Sequence, residues 1–178
     1  ATAHLIELGH TKIAFVGGIS VSQGPHVDRA RLAGYRATMA EAGLPETHVR
    51  SEVTLPGGYA AAVDLLGDAE RRPTALVATC DEVAIGAIIA ARRLGIPVPG
   101  SLSVVGIDNH EFAEMFALTT LEQSPRNQGA QAARMLLEQL ANPGQIPQDV
   151  SIQARLIVRS STAPPPGMPS VTVGVGVP

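Results

Sequence analysis

Short apolar runs alternate with amphipathic stretches along most of this chain. Lys12–Gly18 is an apolar run punctuated by glycines, the pattern of a buried strand that ends in a turn. Residues 27–43 change period: Leu32, Tyr35, Met39 and Ala42 recur at helical spacing, and Gly43 stands where a C-cap belongs. Val49–Leu55 reads as a weaker second strand, broken by Pro56-Gly57-Gly58 ahead of a helix over 58–70. Thr74–Thr79 is apolar on both faces, as an interior parallel strand must be. A helix over 82–94 follows, closed by Gly95, and then a fourth strand at Ser103–Ile107. The pattern continues with a short helix over 110–117, an extended Thr119–Gln123, a helix over 125–141 and an alternating strand at Ile152–Val158. From Ala163 onward proline and glycine predict a loose tail.

This β-α-β order predicts the α/β class: a Rossmann-like parallel sheet with right-handed crossovers and helices on both faces. Ligands on such sheets bind at the carboxyl ends of the strands. The functional residues are therefore expected in Gly17–Pro25, Val53–Gly57, Thr79–Asp81, Asp108–His110 and around Gln123.

Composition narrows the function. The chain has 178 residues, 45% apolar and 16% charged, enough aliphatic material for a substantial core. Thirteen basic against sixteen acidic residues leave a net charge of −3, so this segment carries no electrostatic footprint for gripping nucleic acid. The single cysteine, Cys80, forbids an internal disulfide or a multi-cysteine zinc site and leans towards a cytoplasmic location. No apolar run approaches the roughly 18–20 residues of a membrane span. No signal peptide is visible, and a start without Met inside a helical pattern suggests a natural or trimmed fragment.

The strand ends hold polar groups in apolar surroundings. Asp108 offers a carboxylate to adjacent hydroxyls, Arg31 a planar five-donor fork, and Gln123 both donor and acceptor. That mix suits a polyhydroxylated ligand better than it suits a nucleophilic mechanism. Each residue also has a plainer reading: Asp108 as a helix N-cap, Arg31 as a solvated surface charge, Asp81 as the cap of its helix at the positive end of the dipole. Cys80 stands where a helix N-terminus favours a thiolate, but no histidine base accompanies it, and a small pocket-wall or core residue is the commoner role. The five histidines show no i, i+4 pair, and Asp108-Asn109-His110-Glu111 lie too close in sequence to converge on one ion. Neither a nucleophile elbow nor a P-loop nor a dinucleotide fingerprint is present. The expectation is no catalytic residues, no metal and no cofactor.

Five segments together resemble the LacI/GalR family of transcriptional regulators. They are Leu8–Gly18, Arg29–Tyr35, Thr74–Ala87, Pro99–Asp108 and Leu118–Gln123, in matching order from about His4 to about Thr162. The resemblance implies the C-terminal lobe of a type I periplasmic-binding-protein-like fold. Residues 11–122 and 148–162 would form the C-lobe, 1–10 and 123–147 would be elements of the N-lobe, and 163–178 a loose tail. It also implies a cytoplasmic homodimer that senses a sugar-like effector. Such a protein, most often a repressor, would bind operator DNA through an N-terminal helix-turn-helix absent from this chain.

By position, Arg31 and Asp108 match residues that hold effector hydroxyls in the family, and Gln123 matches one that faces the effector at the lobe crossing. Val53 falls near a site often aromatic, where an aliphatic side chain cannot stack on a sugar ring. Cys80 replaces the usual Asn or Ser and weakens one polar contact. Ala117 stands where a proline usually precedes Leu-Thr-Thr. The helix of Ile85 and the segment around Phe116 are expected at the dimer interface, with ordinary core packing as the other reading. Two rivals remain at this stage: a periplasmic solute-binding protein for sugar uptake, which shares the fold, and an enzyme using Cys80 and Asp108.

Overall fold

A computed structural model describes residues 1–18, 26–144, 146 and 149–167, the side chains of residues 26 and 27 excepted. In chain order the elements are α1 (Thr2–Glu7), β1 (Ile13–Val16), α2 (His26–Glu41), β2 (Thr47–Val49) and α3 (Leu55–Gly67). They continue with β3 (Ala75–Ala78), α4 (Asp81–Arg93), β4 (Ser103–Ile107), β5 (Thr119–Glu122), α5 (Pro125–Ala141) and β6 (Arg155–Ile157). Among the described residues the sheet runs β2-β1-β3-β4-β5-β6. All neighbours pair in parallel except β6, which closes the edge antiparallel to β5. The sheet places the strand ends as the βα pattern requires.

Both faces of the sheet are covered, and strand alternation decides what faces which layer. Ile13, Phe15, Ala75, Val77 and Val105 pack under α1 and α2 with Leu5, Leu32, Tyr35 and Met39. The alternate residues Val16, Leu76, Ala78 and Val104 pack under α3 and α4. The buried Tyr35 hydroxyl donates to the Ile13 carbonyl (2.8 Å) and accepts from Thr47 N–H (2.9 Å), tying α2 to two strands.

Two sequence expectations shift here. β2 is confined to Thr47–Val49, and the Pro56-Gly57-Gly58 stretch opens α3 instead of separating strand from helix. Thr54 caps α3 by accepting from Gly57 N–H (3.1 Å), and Pro56 occupies the first turn, where a missing N–H costs nothing. The glycines serve contact between helices. A Cβ on Gly58 would lie 2.4 Å from the Val83 carbonyl oxygen, and one on Gly86 2.3 Å from that of Leu55, so α3 and α4 meet backbone to backbone.

The segment 110–117 forms turns in place of the expected helix, with Ala117 in the left-handed region at φ 49°. The late strand is shorter than Ile152–Val158, because only Arg155–Ile157 pair with β5. Of residues 1–10, which the resemblance gives to the neighbouring lobe, Ala1, Leu5 and Ile6 pack on the cluster of Ile13, Phe15 and α2. Leu5 is fully buried in one cluster with Ile13 and the α2 residues Leu32, Tyr35 and Met39. Nor is Ala163 loose: its N–H donates to Ser103 Oγ (3.0 Å), and its carbonyl accepts from Ser103 Oγ (2.9 Å). Residues 168–178 of the expected tail lie outside the described residues.

Helix α5 differs from the rest. Its apolar positions fall in register as expected, yet none of its residues is buried, and Leu136, Leu137 and Leu140 are each more than 60% exposed.

Candidate functional site

The strand ends converge on a hollow of about 300 Å³ lined by Arg31, Val53, Cys80, Asp81, Glu82, Asp108 and His110. Four of the five residues expected at a ligand site therefore share one concavity. The fifth, Gln123, is bonded to it, its Nε2 donating to Asp108 Oδ1. Residues 19–25, the remainder of the first expected segment, lie outside the described residues.

Each side chain is aimed by its element. Arg31, one turn into α2, donates from Nη1 to the Thr79 carbonyl at the end of β3 (2.6 Å) and from Nη2 to Asp108 Oδ1 (3.2 Å). Below it, buried Asp28 accepts from Thr79 Oγ1 (2.7 Å), pinning the first turn of α2 to β3. Gly17 makes this approach feasible: a Cβ there would stand 2.4 Å from Thr79 Cβ, and its φ of 151° is one that glycine tolerates.

Asp108 leaves β4 at φ 119° and Asn109 follows at φ 53°. Non-glycine residues in this region cost about 1–3 kcal/mol each and persist only where their surroundings hold them. The Asp108 N–H donates to the Leu121 carbonyl (2.8 Å), so the strained turn is stitched to β5. The turn presents the carboxylate to Arg31 and Gln123 together. This disposes of the N-cap reading of Asp108, because turns and not a helix follow it.

Asp81 was expected as a helix cap. It is instead the first residue of α4, and Cys80 holds the cap position without a side-chain hydrogen bond. Asp81 is buried, accepting from Thr120 Oγ1 (2.6 Å) and His110 N–H (2.7 Å). Burial pushes its carboxyl upward, and the two hydrogen bonds partly oppose that. The result is a tie between α4, β5 and the loop bearing Asp108. Spacing could not reveal it, because its partners lie 29 and 39 residues away.

Burial likewise pushes the Cys80 thiol upward, the opposite of what a reactive thiolate needs. With Val53, which packs on the core beneath, it gives the hollow an apolar wall. His110 and Glu82 also line the hollow and were not singled out as ligand residues; their only signal was position at a strand end. Among the described residues no three His, Cys, Asp or Glu side chains gather as metal ligands.

The expected interface residues divide. Ile85 is 2% exposed and belongs to this chain's own core, because α4 packs against both the sheet and the neighbouring α3. Phe116 is partly buried against the same cluster, with the Arg92 guanidinium 5.4 Å from its ring centre. In that segment the exposed apolar side chains are Phe112 and Met115.

Known proteins share this fold. The periplasmic binding protein-like domain family matches residues 2–162. The HTH-type transcriptional repressor PurR of Vibrio campbellii (strain ATCC BAA-1116) is 35% identical over 172 residues, covering 90% of this chain and 48% of the relative. The HTH-type transcriptional regulator DegA of Bacillus subtilis (strain 168) is 37% identical over 169 residues, covering 92% of this chain and 49% of the relative. This chain thus spans about half the length of these relatives.

Among solved structures, a LacI family regulator from Enterococcus faecium with bound ribose superposes with a TM-score of 0.80 at 28% identity, covering 92% of this chain and 60% of that one. The lac repressor dimer bound to operator and an anti-inducer also gives 0.80 at 28% identity, covering 90% and 56%. The relatives are transcriptional regulators and not enzymes. The chain belongs to the periplasmic binding protein-like domain family, and the relatives and solved structures it is similar to are transcriptional regulators, LacI-type among them.

Proposed function

We propose that this chain is the effector-sensing portion of a LacI-type transcriptional regulator, and that the hollow at Arg31, Asp108 and Gln123 takes a sugar-like small molecule. One observation carries the reading: three residues from α2, the β4 loop and the end of β5 meet at a single carboxylate oxygen, Asp108 Oδ1. The Asp108 side chain stays 40% exposed beside the hollow, open to a ligand hydroxyl. The Arg31 fork keeps donors beyond the two it uses. Val53 and Cys80 offer no stacking ring, so hydroxyl contacts and not ring stacking hold the ligand. The ribose in the Enterococcus faecium structure supports the same class.

The uncovered face of α5 supports a second lobe. Residues 123–147 belong to it, while 11–122 and 148–162, with α1 packed on them, form the C-lobe. The effector sits between the lobes, and its unequal contacts with open and closed forms shift their populations. In the whole protein, a cytoplasmic homodimer, that shift sets the placement of helix-turn-helix heads on operator half-sites. The chain itself performs no catalysis. Its relatives' names favour this reading over an uptake solute-binding protein, which shares the fold.

A sugar panel that begins with ribose, screened by thermal shift on the full-length protein, tests this, since a ligand specific for the native state raises its melting temperature. Asp108→Ala then abolishes the shift while leaving the fold intact. An effector that binds this variant with unchanged affinity by calorimetry removes Asp108 from the site.

A further inference from the structure

The turn that presents Asp108 is gripped from behind by side chains of the two strands that connect α5 to the sheet. The chain leaves the sheet through β5 and returns through β6, and α5 between them buries none of its residues, sharing only an open hollow with Val150 and Ile152 of the returning chain. Any movement of α5 relative to the sheet must therefore be taken up at the ends of these strands. Ser124, at φ 49°, sits at the exit.

A polar chain lies across that exit. Arg155 on β6 donates from Nη2 to Glu122 Oε2 on β5 (2.9 Å). Glu122 Oε1 accepts from Asn109 Nδ2 (3.1 Å). Asn109 Oδ1 accepts from Arg159 Nη2 (2.9 Å), and Arg159 Nη1 donates to the Leu118 carbonyl at the start of β5 (2.7 Å). The Asn109 amide thus spends both ends on the connecting strands, and its neighbours Asp108 and His110 both line the hollow. Glu122 is held below the usual carboxylate range chiefly by its bond to Arg155, which keeps it charged for this role.

We propose that Asn109 is a positioning residue: through Glu122–Arg155 and Arg159 it couples the angle of the connecting strands to the placement of the Asp108 carboxylate. Splaying β5 from β6 draws Glu122 or Arg159 off Asn109. The left-handed turn then loses its support, and Asp108 leaves Arg31 and Gln123. Bringing the strands together rebuilds the site. The inference rests on the hollow being the effector site, but its test needs no effector.

The test uses the nitrogen-15-labelled 178-residue chain. Two readouts report the turn: exchange of the Asp108 amide, bonded to Leu121, and the side-chain amide signals of Gln123, bonded to Asp108. Asn109→Ala should speed Asp108 exchange roughly tenfold and shift the Gln123 signals, with Val77 exchange unchanged as the control for folding. Arg155→Gln, at a side chain 73% exposed that touches neither reporter, should move both the same way by a smaller factor. Asn109→Asp sets two carboxylates against each other, and adding Glu122→Gln reverses the polarity of that contact and should restore both readouts. Wild-type behaviour of the reporters in Asn109→Ala overturns the proposal, as does a double variant no better than Asn109→Asp alone. If the reporters respond while no sugar binds the full-length protein, the positioning role stands and the effector reading fails.

Discussion

The carboxylate of Asp81 occupies the space that a side chain on Gly106 would need: a Cβ there would lie 2.1 Å from Asp81 Oδ1. β4 can therefore carry only glycine at this point if α4 is to deliver its first residue to Thr120 and His110. The Gly-Ile-Asp order at the end of β4 joins two requirements, room for a buried tie and, two residues on, the carboxylate of the hollow.

Gly106→Ala should accordingly displace Asp81 and orphan its two hydrogen-bond donors. The expected loss is about 3 kcal/mol, from overpacking plus broken buried hydrogen bonds. Urea unfolding measures it. An alanine variant within about 0.5 kcal/mol of wild type would show that Asp81 has another place to go.

The contact between α3 and α4 should be equally intolerant. A methyl on Gly86 meets the Leu55 carbonyl at 2.3 Å and the Tyr59 nitrogen at 2.6 Å, backbone atoms that cannot swing aside. Gly86→Ala should cost about 3 kcal/mol by forcing the helices apart, although alanine is the better helix former. Gly67→Ala has nothing within 4 Å and serves as the control, with an expected change near zero or slightly stabilising.

Acid should weaken the fold through His10. Its Nδ1 meets Thr74 Oγ1 (2.9 Å) and its Nε2 lies 2.8 Å from the Ala163 carbonyl. Burial holds its pKa below 6.5, the Ala163 bond opposing in part and nearby His4 adding to the depression. The unfolded chain therefore takes up the proton first. Stability from this group is complete above about pH 6.5 and falls as the pH drops towards the folded value, at no more than about 1.4 kcal/mol per pH unit. Equilibrium unfolding between pH 5 and 8 reads the slope, and His10→Gln should flatten it.

Cys80 should react slowly. With Cys80 6% exposed and its thiol pKa raised by burial, alkylation by iodoacetamide at neutral pH should run at least about tenfold slower than for a free cysteine. Unfolding in urea should restore the ordinary rate. Faster reaction in the native state would revive a catalytic reading of the hollow.

The central strands β1, β3 and β4 were legible because each is a predominantly apolar run buried along its whole length, and a strand buried on both faces leaves that mark whatever surrounds it. Asp108 and Gln123 could be named because the βα pattern places them at strand ends, and Arg31 because it lies on the helix that follows the first strand. Asp81 could not be read in the same way. A carboxylate at a helix start looks like a cap until the partner 39 residues away is known. Val49–Leu55 misled for a local reason: the glycines that seemed to break a strand are there for a neighbouring helix.

From sequence alone came the order of strands and helices, the parallel sheet, and the residue types gathered where a ligand would sit. Those follow from side-chain period and turn chemistry, which act within a few residues. Tertiary structure alone decided that Ile85 faces inward, that the apolar stripe of α5 is left uncovered, and that Asn109 joins two strands to one turn. An amphipathic helix states that it has an apolar face but not what covers it. A polar side chain states what it can bond but not which distant group the fold brings to it.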